Sequence, residues 1–165
     1  MADDIRTLSA ALARDPMSLQ YLELAEALRR RGKLDEALQV ANHGLGRHPG
    51  HADGYDALAR IHSDNGDLAE ARAAWERVLA IVPEHGGALK GISFLYFRQG
   101  DTRRAVDALE HALAANPDDV AAQRALAALK VVAWPEKPST SVPPPPTPQF
   151  AGRKSPSDVP QLRAT

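Results

Sequence analysis

Pro49, Pro83 and Pro117 recur at an interval of 34 residues, and three further sets keep the same interval: Gly32, Gly66 and Gly100; Ala37, Ala71 and Ala105; Leu45, Leu79 and Leu113. A fixed period in the range of about 20 to 50 residues marks units that cannot bury their own apolar faces and must stack to build a continuous core. The material for that core is small: 44% of the residues are hydrophobic but only 5% are aromatic, so alanine and leucine must fill it and the stacked elements must approach closely. A chain of this kind offers surfaces rather than enclosed pockets.

Within each unit the apolar pattern changes phase once. Tyr21, Leu24, Ala25 and Leu28 follow the i, i+3, i+4, i+7 spacing of one helix face, and Tyr55, Leu58, Ala59, His62 and then Leu89, Ile92, Ser93, Tyr96 hold the same places. A second stripe follows: Ala37, Ala41, Gly44, Leu45; Ala71, Trp75, Val78, Leu79; Ala105, Leu109, Ala112, Leu113. The spacing predicts two antiparallel helices per unit, with Gly32, Gly66 and Gly100 as left-handed residues just past the first helix. Pro49, Pro83 and Pro117 then close the second helices, because the residue before a proline is pushed out of the helical region. Asp67 with Glu70 predicts a capping box, not repeated at Lys33 or Thr102.

The ends differ from the units. Residues 1–16 predict a lone N-terminal capping helix, with Ile5, Leu8, Ala11 and Leu12 as its stripe and Asp15-Pro16 both ending it and starting the next helix. Residues 120–134 predict a fourth first helix, polar at Gln123 and Lys130 where earlier units are apolar, that caps the stack with Leu126 and Leu129 packing backward. From residue 135 to 165 the chain holds nine of its 13 prolines, including Pro143-Pro144-Pro145-Pro146, and lacks the apolar payload for a core. This segment is expected to be a disordered tail, and its deletion is expected to leave the cooperative melt of the helical part intact. Unfolding several degrees earlier in the truncated chain would mean that the tail, most plainly Phe150, docks on the body.

The arrangement resembles the tetratricopeptide repeat, whose pattern is met in the second unit by Tyr55, Leu58-Ala59, His62, Gly66, Ala71, Trp75, Val78 and Pro83. The first unit keeps Tyr21, Leu24-Ala25, Gly32, Ala37 and Pro49, with Ala41 and Gly44 in place of larger groups. The third keeps Tyr96, Gly100, Ala105, Ala112 and Pro117. The resemblance implies an all-α fold, a right-handed α-solenoid of antiparallel helix pairs, with three repeats and the capping helix spanning 17–134. It also implies a concave groove lined by the first helices: Leu22, Glu23, Glu26 and Arg29; Asp53, Asp56, Arg60 and Ser63; Lys90, Phe94, Phe97 and Arg98; Arg124 and Ala128. Such a groove would run from an acidic half to a basic, aromatic half. Glu23, Glu26, Asp56, Arg60, Lys90, Phe94, Phe97, Arg98 and Arg124 are the candidate peptide-binding residues. Phe94 and Phe97 lead them because Tyr96 already supplies the core aromatic of that helix; Phe94 packing on the neighbouring unit is the other reading. The family's carboxylate clamp for chaperone tails is not expected, since Leu22, Glu26 and Ala57 stand where it needs lysine and asparagine.

The implied function is a scaffold binding a peptide or helix of another protein. A small chaperone for a secreted or assembling substrate and an enzyme-associated regulatory subunit are the alternatives. No catalytic constellation, cofactor or metal site is expected. Gly44-Leu45-Gly46 lacks a preceding strand and meets Pro49 where a dinucleotide fingerprint needs its third glycine. His43, His48 and His51 lie near one connection without an acidic residue to complete a ligand set. The formal charge of −1 offers no excess for phosphates, and Arg29-Arg30-Arg31 reads as a cationic last helical turn. Nucleic-acid binding and membrane insertion are not expected, and a beginning that is acidic where a secretion signal would be basic, with no run of 18 apolar residues, favours a cytoplasmic setting. A monomer is expected, or weak self-association through Val131, Val132 and Trp134.

Overall fold

A computed structural model describes residues 2–133, and they form eight helices with no strand among them: α1 (Ala2–Arg14), α2 (Tyr21–Arg30), α3 (Leu34–Arg47), α4 (Ala52–Asn65), α5 (Leu68–Ile81), α6 (Gly86–Arg98), α7 (Thr102–Ala115) and α8 (Val120–Ala133). The expected tail at 135–165, together with Trp134, lies outside the described residues.

The two turn devices fall where the period places them. Gly32, Gly66 and Gly100 have φ of 72°, 87° and 80°, a region in which a Cβ would be strained, and each lets the next amide reach back to close the helix. Lys33, Asp67 and Asp101 donate to the carbonyls of Leu28, His62 and Tyr96 at 3.0, 2.9 and 2.9 Å. Before each repeat proline the backbone leaves the helix: His48, Val82 and Asn116 have φ between −127° and −138° with positive ψ.

Both stripes face inward in the first unit; in the first helices of the second and third units the buried face is rotated, with Gly54, Asp56, Ala59 and Ile61, then Leu89, Ile92, Ser93 and Leu95, buried, while Tyr55, Leu58, His62 and Tyr96 are half-buried. Tyr21, Leu24, Ala25 and Leu28, and Ala37, Ala41, Gly44 and Leu45, are all buried in the first unit. Core clusters join each second helix to the first helices on either side. Ala71, Ala74, Trp75 and Val78 of α5 meet Ala59 of α4 and Ala88, Ile92 and Leu95 of α6. At the ends, Ile5, Leu8 and Leu12 of α1 pack on the first cluster, and Ala122 and Leu129 of α8 cover Ala105 and Leu109 of α7. First helices also touch one another, α2 with α4 and α4 with α6, whereas the principal neighbours of each second helix are first helices. The first helices therefore form the inner, tighter side of the stack. Ala71 is fully buried, and Ala71→Leu is expected to overpack it at a cost of about 1 to 3 kcal/mol, read as a lower melting temperature.

The capping differs from the sequence expectation. Asp67 makes no side-chain cap to α5, because its carboxylate accepts from Asn65 Nδ2 at 2.6 Å and meets His62 Nδ1 at 3.4 Å. Side-chain caps instead occur at His85, Asp101 and Asp119, which accept from the amides of Ala88, Arg104 and Ala122. Asp15 does not start α2 either. Its Oδ1 accepts from Met17 N at 3.2 Å in a local turn, a further turn carries the chain on, and α2 begins at Tyr21.

Candidate functional site

On the inner side, the third unit carries two large exposed apolar side chains. Phe94 and Phe97 of α6 are 44% and 43% exposed, while Ile92, Ser93 and Leu95 beside them are buried. The helix can spare them because Leu89, Ile92 and Ser93 face its core; Ser93 donates to the carbonyl of Ala105 at 2.8 Å and so ties α6 to α7. Across from Phe94 and Phe97, α8 presents the small side chains Ala125 and Ala128. The space left between them is a depression of about 280 Å³, walled also by Leu109, Leu129, Val132 and the stem of Lys90.

A second depression, about 390 Å³, adjoins the first and shares Lys90 and Phe94 with it. Its other walls are Arg60 of α4, Trp75 of α5, and Gly87 and Gly91 of α6. The glycines explain its form. A Cβ on Gly91 would lie 2.2 Å from the Trp75 ring, so the bare backbone is what admits the indole at this junction. Trp75 Nε1 donates to Asp56 Oδ1 at 2.9 Å, and Arg60, one turn along α4, ion-pairs with the other oxygen of the same carboxylate.

Asp56 is thereby corrected from a groove-lining residue to a buried one, 2% exposed, that holds Trp75 and Arg60 in place. A buried carboxylate needs such partners, since an unpaired charge away from water is costly. Glu26 is likewise committed. It accepts from Arg29 Nε at 2.8 Å and from Arg30 Nε at 2.7 Å, and Arg29 reaches across to Asp64 of α4. The hydrogen bond from Arg29, with the second from Arg30, holds the Glu26 carboxyl down at about 2. Because the folded value lies below the ordinary one, the stabilisation is full at neutral pH and is lost as the pH falls toward about 2. Glu26→Gln is expected to cost on the order of 1 kcal/mol at pH 7, screened by solvent, and to flatten stability against pH on the acid side. A chemical-denaturation series from pH 7 to pH 2 reads both effects.

With Asp56 buried and Glu26 paired, the acidic half of the groove is reduced to Glu23 and Asp53, and Asp53 lies 3.1 Å from His85 Nε2. Of the basic candidates, Lys90 and Arg60 border the second depression and Arg98 lies against Phe94. Lys90 Nζ donates to Asp119 at 2.6 Å and keeps its other donors; that bond, with the amide of Ala122, lowers the Asp119 carboxyl. The Arg98 guanidinium stands over the Phe94 ring, 5.8 Å from its centroid. Arg60, Lys90, Phe94 and Phe97 are thus brought together with Arg98 alongside, whereas Glu23, Glu26 and Arg124 line neither depression. Trp75, Gly87, Gly91, Leu129 and Val132 also line these depressions and were not among the groove candidates: the sequence placed Trp75 in the core, Leu129 in the cap packing and Val132 at an exposed end.

The other candidates are placed by packing. His48 Nε2 bonds to the carbonyl oxygen of Met17 at 2.9 Å and His51 Nδ1 to the Tyr21 hydroxyl at 3.0 Å, so the histidine cluster ties the first turn region to α2. Burial raises the Tyr21 hydroxyl above its ordinary pKa, with the Asp53 charge adding to it. No group of three His, Asp or Glu side chains among the described residues could hold a metal ion, and no described helix is long and apolar enough to cross a membrane. Val131 and Val132 are exposed at the C-terminal end of α8.

Comparison with known proteins agrees with this architecture. Two family models, both described as tetratricopeptide repeat, match residues 19–61 and 63–129. No curated protein matches the chain significantly. Among solved structures, a thermophilic tetratricopeptide-repeat protein of Thermus thermophilus is similar, with 22% identity, coverage of 77% of this chain and 71% of that one, and a TM-score of 0.70. A tetratricopeptide repeat protein of Parabacteroides merdae has 25% identity, coverage of 76% and 51%, and a TM-score of 0.63. The first repeat domain of Spaghetti, solved bound to an HSP90 peptide, has 18% identity, coverage of 72% and 94%, and a TM-score of 0.65. The 34-residue register, the helix pairs it forms and the two family matches along them agree: the chain belongs to the tetratricopeptide-repeat family.

Proposed function

We propose that the chain is a non-catalytic protein-interaction module that holds an extended segment or a helix of a partner protein across its inner surface, centred on the third unit. The exposure of Phe94 and Phe97 beside an almost wholly apolar depression carries this reading. A monomeric helical stack has no packing reason to leave two phenylalanines in water on one face, and aromatic groups of this kind dominate interface energy. The peptide held by the Spaghetti domain supports the fold as one able to present such a surface.

A pull-down comparing the wild-type chain with the Phe94→Ala, Phe97→Ala double variant tests it. Each aromatic is expected to contribute about 1 to 3 kcal/mol to binding, so specific partners should be lost by tenfold or more while the melting temperature changes little. Undiminished capture of the same partners by the double variant would move the site off this surface. Parallel loss of fold and binding would make the phenylalanines packing residues.

A further inference from the structure

The two adjoining depressions differ in chemistry, and the difference specifies what a bound segment must contain. The one between α6 and α8 is lined by Phe94, Phe97, Leu109, Ala125, Leu129 and Val132 and suits a bulky apolar side chain. The one between α4 and α6 has a cation on either side, Arg60 and Lys90, and is lined also by the Trp75 indole and by Gly87 and Gly91, whose missing Cβ positions face the Asp56 carboxylate and the indole. Neither cation is loose. Arg60 is anchored by Asp56, which is itself buried and bonded to Trp75, and Lys90 by Asp119. Both retain unused donors: the Arg60 side chain is 48% exposed and that of Lys90 35%. Anchoring lowers the ordering cost when an anion arrives, and a guanidinium can take a second carboxylate through its remaining N–H groups. Arg60 and Lys90 each hold one structural carboxylate, and Arg98, over the Phe94 ring beside the depression, adds a further positive charge to this face.

We propose, resting on the groove reading above, that the segment bound here carries a side-chain carboxylate seated between Arg60 and Lys90 and, two or three residues away, a bulky apolar side chain seated among Phe94, Phe97, Leu129 and Val132. The spacing follows from the helices. Depressions on opposite sides of α6 lie about one interhelical distance apart, roughly 8–10 Å. A polyproline II chain spans this at three residues, about 9.3 Å, and a β-extended chain approaches it at two, about 6.6 Å, with the outward lean of its side chains making up the rest.

The test uses the full chain and N-acetylated, C-amidated peptides of glycine and serine carrying one aspartate and one leucine at separations of one to six residues. Blocked termini remove any terminal carboxylate. Binding is read by nitrogen–proton correlation spectra, with the Trp75 indole N–H and the Gly87 and Gly91 amides reporting the charged depression and Leu129 and Val132 the apolar one. Peptides with separations of two or three are expected to shift both groups and to bind at least about tenfold more tightly than the separation of six or the asparagine analogue. That preference should shrink with added salt and vanish in the Arg60→Gln, Lys90→Gln variant, while the shifts at Leu129 and Val132 persist. Equal binding of the aspartate and asparagine peptides, or no shift with any peptide at millimolar concentration, overturns the inference. The asparagine comparison needs no altered protein, so a folding defect in the variant does not obscure it. Failure here with partner capture still dependent on Phe94 and Phe97 removes the charged motif and leaves the groove reading standing; loss of that dependence removes the groove reading itself.

Discussion

Trp75→Ala is expected to cost about 3 to 5 kcal/mol of stability, the largest single loss that any side chain of the second unit should show. The indole is almost wholly buried among Ala59, Ala71, Ala74 and Val78 and the α6 residues Ala88, Ile92 and Leu95, so its removal opens a cavity between two units at once. The variant also strips Asp56 of the Nε1–H donor, leaving a buried carboxylate with Arg60 alone. Trp75→Phe separates the two effects. It keeps most of the volume but not the donor, and is expected to cost about 1 to 3 kcal/mol. Thermal melts of both variants read these losses, and melts of Trp75→Phe, Asp56→Ala and the double variant, read as a double-mutant cycle, would show coupling between Trp75 and Asp56. Additive losses would mean that the hydrogen bond contributes nothing beyond packing.

Gly91→Val is expected to destabilise by about 3 kcal/mol, although valine is the better helix former by a few tenths of a kcal/mol. Helix propensity and packing predict opposite signs here, which makes the result informative. The Trp75 ring stands 2.2 Å from the position of a Cβ at Gly91 and cannot retreat, because it is wedged in the core and bonded to Asp56. Gly44 is in the same situation against the Tyr21 ring, again at 2.2 Å. Gly46, two residues on in α3, has nothing within 4 Å of its Cβ position, and Gly46→Ala is expected to stabilise by up to about 1 kcal/mol. Melting temperatures that rise for both positions would contradict the packing described at the junction of the second and third units.

These contacts mark the limit of what could be read along the chain. The period, the second-helix stripes and the left-handed glycines are local or nearest-neighbour properties that follow from spacing, whereas the buried face of the first helices in the second and third units is turned toward Ile61 and Leu95 and away from Tyr55, His62 and Tyr96. Asp56 does not follow from spacing either. A polar residue at a first-helix position resembles its groove-facing equivalents until the indole of Trp75, 19 residues on, is placed against it and requires an acceptor. Glu26 was legible as acidic, but its pairing with Arg29 and Arg30 is a choice among helix-face neighbours that spacing permits and does not decide. Asp67 had the sequence of a capping box, yet Asn65 and His62 compete for the same carboxylate, while Asp101, without a glutamate three residues on, caps its helix. Phe94 and Phe97 were recognisable because Tyr96 holds the repeat's aromatic place, although it packs half-buried at the edge of the core and Leu95 is the residue buried there. Gly87 and Gly91 gave a weaker signal, two glycines four residues apart in one helix, which acquires meaning only beside Trp75.

The claim that the inner surface at the third unit is where a partner is held is tested most directly by where that partner can be trapped. p-Benzoylphenylalanine placed at Phe97, on the inner side, and separately at Ala73, exposed on α5, would report contacts within a few ångströms when irradiated in cells that produce the chain. Adducts forming from position 97 and not from position 73, and abolished by Phe94→Ala in the same chain, are the predicted result. Adducts forming from position 73 alone, or from both positions irrespective of Phe94, would contradict it.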